Sequence, residues 1–228
     1  MGTPFDLDQA DKLLTTTRAV RKRLDLTRPV PHEVVLDCIR VATQAPTGGN
    51  VQRGRWIIVD DQELKDQIAV YYRRAYEPYI ESQRASVQQV GRTDKSTMGI
   101  LSSSDYLAEH LQEVPLFVIP CILDRVPANA KQGLMAGFYG SILPAVWSFQ
   151  LALRARGLGS VWTTLHLEFE DEVGDLLGIP RTVSHMGTTE TPCRAASSAG
   201  SAAALSVTIA MLMRNTVRAA ALEAGLEH

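Results

Sequence analysis

Two short stretches carry side chains suited to gripping an anion and a polar ring edge. In Thr15-Thr16-Thr17-Arg18-Ala19-Val20-Arg21-Lys22-Arg23, four positive side chains follow directly on a run of hydroxyls. Guanidinium forks and an ammonium offer a phosphate charge-assisted hydrogen bonds, roughly twice as strong as neutral ones. The same cluster on an exposed turn would simply be solvated. The second stretch is Gln44-Ala45-Pro46-Thr47-Gly48-Gly49-Asn50-Val51-Gln52. Pro46 ends the preceding helix, Gly48 and Gly49 let the backbone take positive φ and approach a ligand, and Thr47 and Asn50 both donate and accept. Alone it also reads as an ordinary helix-to-strand turn. Thr163 and Thr164 close a β-branched, aromatic run and could hydrogen-bond a ligand edge.

Other chemistry-bearing types are sparse. His110, His166 and His185 have no carboxylate at a spacing that marks an acid–base partner, which favours structural roles. Cys38, Cys121 and Cys193 are widely spaced, form no Cys-x-x-Cys, and imply neither a metal site nor a disulfide framework. No Gly-x-Gly-x-x-Gly fingerprint is present.

Helices and strands must hold these groups. Leu7, Ala10, Leu13 and Leu14 share one face of a predicted helix over residues 7 to 16, which delivers the basic cluster. Pro29 and Pro31 precede a helix from His32 to Thr43 whose exit is the glycine loop, and a strand follows at 56 to 60. Asp61 caps a helix running past Tyr72 until Pro78 interrupts it. The polar stretch 73 to 104 reads as a mobile excursion or a solvated helical hairpin, before a helix from Asp105 to Glu113. Leu116 to Leu123 is a buried strand. Residues 134 to 156 form one apolar helix, kinked at Pro144, that must be central or lie in a subunit interface. A strand at 160 to 166 and a helix from Glu168 to Gly178 follow. Residues 187 to 204 have no period, Leu205 to Met213 could be a strand or short helix, and 226–228 reads as a tag scar.

With 45% hydrophobic residues, 21% charged and a net charge of −2, the chain can bury a full core and leaves no footprint of nucleic acid or anionic membrane. No signal-like N-terminus or spanning run is seen, so a soluble protein of a reducing cytoplasm is expected.

Taken together, Thr17-Arg18-Ala19-Val20-Arg21, Ala45-Pro46-Thr47-Gly48-Gly49-Asn50, the run from Phe138 to Phe149, and Gly157-Leu158-Gly159-Ser160-Val161-Trp162-Thr163-Thr164 resemble the FMN-dependent nitroreductase family, in the same order and at similar spacing. The resemblance implies an α+β three-layer sandwich with a mostly antiparallel sheet, an intertwined homodimer, and FMN at each subunit boundary. It implies that Arg18, Ala19 and Arg21 hold the phosphate and ribityl end, that Pro46, Thr47, Gly48 and Asn50 line one edge of the ring, and that Thr163, Thr164 and Leu165 approach it from the sheet. The implied reaction is ping-pong: NAD(P)H reduces the flavin, and a nitroaromatic, quinone or similar small molecule is then reduced without a catalytic side chain or a metal. A non-enzymatic flavin-binding protein is the alternative. The resemblance stops near Met186, so residues 1–186 read as the FMN-binding domain and 187–228 as an atypical tail, either an interface arm or partly disordered.

Overall fold

The computed structural model describes residues 4–190 together with Cys193 and Arg194. The first helix, α1, spans Leu7–Thr16 and opens at Asp6, whose carboxylate accepts from the Gln9 amide at 3.1 Å. A two-residue strand, β1 (Leu24–Asp25), leads to α2 (His32–Ala42), which buries Val35, Cys38, Ile39 and Ala42. The Gly48–Asn50 turn then feeds β2 (Gly54–Val59).

The long helix α3 runs from Gln62 to Gln89 and passes through Pro78 without ending there. Ala75, Tyr76 and Ile80 are buried on either side of the proline, while Pro78 itself faces solvent, so core packing holds both flanks and water can reach the carbonyl left unpaired. Asp94 caps α4 (Lys95–His110), accepting from the Thr97 amide at 3.0 Å. Of the two readings of residues 73 to 104, the structure shows the solvated helical hairpin, exposed over nearly all of residues 81–100.

Strand β3 (Phe117–Leu123) is followed by α5 (Gln132–Gly140) and α6 (Leu143–Ala155). The single kinked helix of the sequence reading is thus two helices broken at Ser141 and Ile142. Pro144 sits in the first turn of α6, where its missing N–H costs nothing, and so starts a helix instead of bending one. Helix α6 buries Val146, Phe149 and Leu153 completely, whereas α5, equally apolar, buries no residue.

Strand β4 is short, Val161–Thr163, and a 3-10 stretch at Leu165–Phe169 runs into α7 (Glu170–Leu176). Two strands that the composition hides follow: β5 (Val183–His185) and β6 (Thr188–Glu190). A last pair of residues, β7 (Cys193–Arg194), is antiparallel to β1.

The main sheet runs β2-β3-β6-β4, with β5 also on β3, and every named pair in it is antiparallel. Residues of β3 alternate between its faces. Phe117, Ile119 and Cys121 join a core with Ile68, Tyr72 and Val173, while Val118 and Ile122 join one with Val35, Val146 and Phe149. The result is the expected three-layer α+β sandwich, a helix–sheet–helix stack. The residues at 205–213 and 226–228 lie outside the described ones.

Candidate functional site

The basic cluster is placed by the edge of the sheet. Ala19 makes a parallel bridge to Ser160, and the Val20 amide donates to the Ser160 carbonyl at 2.9 Å, so the cluster lies alongside the segment entering β4. The hydroxyls of Thr15, Thr16 and Thr17 turn back onto carbonyls of α1, at Asp11, Lys12 and Leu13, so the hydroxyl run closes the helix.

What remains is a cationic cleft of about 270 Å³ lined by Arg18, Ala19, Arg21, Lys22, Arg23 and Arg154. Arg21 reaches Ser103 of α4 at 3.4 Å, and Lys22 reaches Ser102. Among the described residues, Arg18, Arg21, Lys22 and Arg23 form no ion pair with a carboxylate. Cations gathered without internal neutralisation are what a bound phosphate dianion calls for. Nothing in the sequence marks Arg154 or Ser103 as a partner of the basic cluster. Arg154 reads as a helix stop signal and Ser103 as part of a solvated stretch, and only the tertiary fold brings them to the cluster.

Arg21 also borders a second cavity, of about 170 Å³, whose other walls include Tyr72, Tyr76, Thr163, Thr164 and Leu165. The three residues expected at the ring's sheet side therefore lie next to the arginine expected at its phosphate end. The Tyr76 hydroxyl donates to Asp105 at 2.8 Å; burial, followed by that hydrogen bond, pushes its pKa well up, so it stays a neutral phenol. A larger cavity of about 360 Å³ opens elsewhere against Trp162 and Thr164, bounded by Arg125, Tyr139, Glu170 and His185, but its Arg125 and Glu170 are already paired at 3.0 Å.

The glycine loop lines none of these three cavities. Gly49 and Asn50 both hold positive φ, at 62° and 56°, which turns the loop sharply. The Gly48 amide donates to Ser141 Oγ at 2.9 Å, and Thr47 Oγ1 is buried with no partner. Within one chain, then, Arg18, Ala19, Arg21, Thr163, Thr164 and Leu165 are gathered together, while Pro46, Thr47, Gly48 and Asn50 stand apart on α5.

His166 and His185 are buried. His166 is fully buried and its pKa is pushed down to about 3, chiefly by burial and then by the neighbouring His185. His185 is lowered as well, mainly by burial, and its Nε2 lies 3.0 Å from the Glu170 carbonyl. His110 departs from the expectation of no carboxylate partner: it lies 2.8 Å from Glu113, three residues on, near the surface. Among the described residues no three metal-ligating side chains cluster, and no helix is long and apolar enough to cross a membrane.

The family model "Nitroreductase family" matches residues 14–188. An iodotyrosine deiodinase of Thermotoga neapolitana is 27% identical over 148 residues, covering 65% of this chain and 70% of that protein. Among solved structures, an iodotyrosine deiodinase bound to FMN and 3-iodo-L-tyrosine matches with a TM-score of 0.60 at 24% identity, over 81% of this chain and 89% of that one. The FMN-dependent nitroreductase NfnB of Mycobacterium smegmatis, in complex with NADPH, matches with a TM-score of 0.59 at 19% identity, over 83% and 89% of the two chains. The family match spans the basic cluster, the glycine loop, the apolar helices and β6 alike, and the chain belongs to the nitroreductase family of flavin oxidoreductases.

Proposed function

We propose that this chain binds FMN and uses NAD(P)H to reduce an electron-poor small molecule such as a nitroaromatic or a quinone. The observation that carries this reading is Arg21, which borders both the cationic cleft and the cavity edged by Thr163, Thr164 and Leu165. Arg18 and Arg21 would fork onto the FMN phosphate, with the Ala19 backbone beside the ribityl chain. Thr163, Thr164 and Leu165 would border the ring. Once bound, FMN supplies the two-electron transfer between the nicotinamide donor and the acceptor.

The ring-edge residues of the glycine loop, Pro46, Thr47, Gly48 and Asn50, would come from a second copy of the chain. Their separation from the cleft within one chain favours this homodimeric arrangement. So does exposed apolar surface beside the loop and on the apolar helices: Val51 next to the loop, Leu134 and Tyr139 of α5, and Trp147 of α6 are all large and exposed.

Two measurements test the proposal. The purified protein should show flavin absorbance, and its slow oxidation of NADPH should accelerate when a nitroaromatic is added. A colourless protein that takes up no FMN would overturn the cofactor assignment, and a yellow protein that turns over no acceptor would leave the flavin-binding alternative. Reductive dehalogenation of a halogenated tyrosine is a second reading, favoured by the deiodinase relative. Offering 3-iodotyrosine in the same assay separates the two.

A further inference from the structure

The geometry points to Ser141 as the positioning residue for the glycine loop. Its hydroxyl fixes where the Gly48–Asn50 turn stands, and through that turn it sets the properties of the bound flavin. This rests on the proposed role of the loop at the ring edge.

Ser141 lies at the break between α5 and α6, with its amide on the Phe138 carbonyl at 3.1 Å. It is anchored from one side: the following residue, Ile142, is buried, and α6 behind it is packed into the core. Its hydroxyl has one proton, which it donates to the Gly137 carbonyl at 2.7 Å. The oxygen is thereby left as an acceptor aimed at the loop, and the Gly48 amide donates to it at 2.9 Å. The polarity of this relay cannot be reversed, because a backbone amide only donates and a carbonyl only accepts.

The turn has little else to hold it. Asn50 donates to the Thr47 carbonyl at 3.1 Å and Val51 to the Gly48 carbonyl at 3.3 Å, both local bonds. Among the described residues, the Gly48–Ser141 bond is the one hydrogen bond joining residues 47–50 to another element. It holds a turn in which Asn50, a non-glycine, occupies the left-handed region, which L side chains seldom adopt. The serine also accounts for the glycine at position 48. A Cβ there would stand 3.0 Å from Ser141 Oγ, tighter than carbon normally approaches oxygen, and 3.7 Å from the Gly137 carbonyl. Hydroxyl and missing side chain are two halves of one contact.

A double-mutant cycle on the full chain tests this, using Ser141→Ala, Gly48→Ala, their combination, and Ser141→Thr, which keeps a hydroxyl. On FMN-loaded protein, Ser141→Ala should shift the flavin ratio of reduced to oxidised about tenfold at fixed potential, which is about 30 mV for a two-electron couple. It should also speed hydrogen exchange at the Gly48 amide at least tenfold, with Ser141→Thr restoring both. Gly48→Ala should weaken FMN retention in the wild-type background and do so markedly less once Ser141 is alanine, since the crowding oxygen is gone.

An unchanged potential and unchanged exchange in a folded Ser141→Ala protein would overturn the inference, as would strictly additive effects across the cycle. Circular dichroism and thermal melting establish that each variant is folded. If the wild type binds no FMN, the functional reading fails, and the exchange rate at Gly48 in the unloaded protein still decides whether Ser141 holds the turn.

Discussion

Trp162 Nε1 donates to the Met186 carbonyl at 3.1 Å, and a Cβ on the next residue, Gly187, would stand 2.4 Å from that same nitrogen. The Thr163 carbonyl would be 2.5 Å from it, and the φ of Gly187, 104°, is one that a side chain rarely adopts. Both space and backbone therefore exclude a side chain where β5 passes into β6. Gly187→Ala is expected to destabilise the fold by on the order of 3 kcal/mol. Urea unfolding should show the midpoint falling, and an unchanged midpoint would mean the β5–β6 passage has slack that the contacts do not suggest.

Arg18→Ala should cost the protein its FMN. One charge-assisted phosphate contact is worth about 1.5–3 kcal/mol, a loss of roughly ten- to a hundredfold in affinity. Asn50→Ala, in contrast, should retain FMN and change its potential or reduction rate. Flavin content after desalting, read beside the stopped-flow reduction rate, checks both, and equal flavin loss in the two variants would show that the two roles have been confused.

Acid should destabilise this protein from about pH 6.5 downward. His166 is neutral in the fold down to about 3, while the unfolded chain takes up a proton near 6.5, so stability is complete above 6.5 and drains away as pH falls toward 3. His185, also lowered by burial, acts in the same direction. The His166 imidazole contributes a slope of roughly 1.4 kcal/mol per pH unit well inside that window. Urea midpoints measured from pH 7.5 to 4.5 give the slope, and His166→Leu should make it shallower by one proton's worth.

Pro78→Ala should stabilise the protein by about 1 kcal/mol or more, since α3 already continues through the position and alanine restores an amide to the helix. A rise in melting temperature reads it directly. A lower melting temperature would indicate that the proline relieves strain between the two ends of α3.

Much of the frame is legible in residue pattern. Asp61 and the apolar stripe of α2 announce their helices because local capping and spacing determine them, and Leu116 to Leu123 reads as a buried strand because it is covered on both faces. Thr188-Thr189-Glu190 is different: a polar tripeptide becomes β6 only because β3 and β4 leave a gap of one strand between them. The break at Ser141 was hidden in the same way, since Pro144 signals a disturbance without saying whether it bends a helix or starts one. Within the site, Arg18 and Arg21 announce themselves by charge, and Thr163 by its place at a strand end. Arg154, Ser103 and Ser141 are ordinary in sequence and acquire their roles from partners far along the chain.

The strand order β2-β3-β6-β4 also has a consequence for biosynthesis. As the chain leaves the ribosome, β2 and β3 can pair early, but β4 has no neighbour in the sheet until β6, which is made after it, slots in between. Ala19 and Val20 dock on the segment entering β4, so the strand beside the cationic cleft is tied into the sheet only after Glu190 has been made. A nascent chain stalled before that point would carry both sides of the cleft and lack the strand that joins β4 to β3.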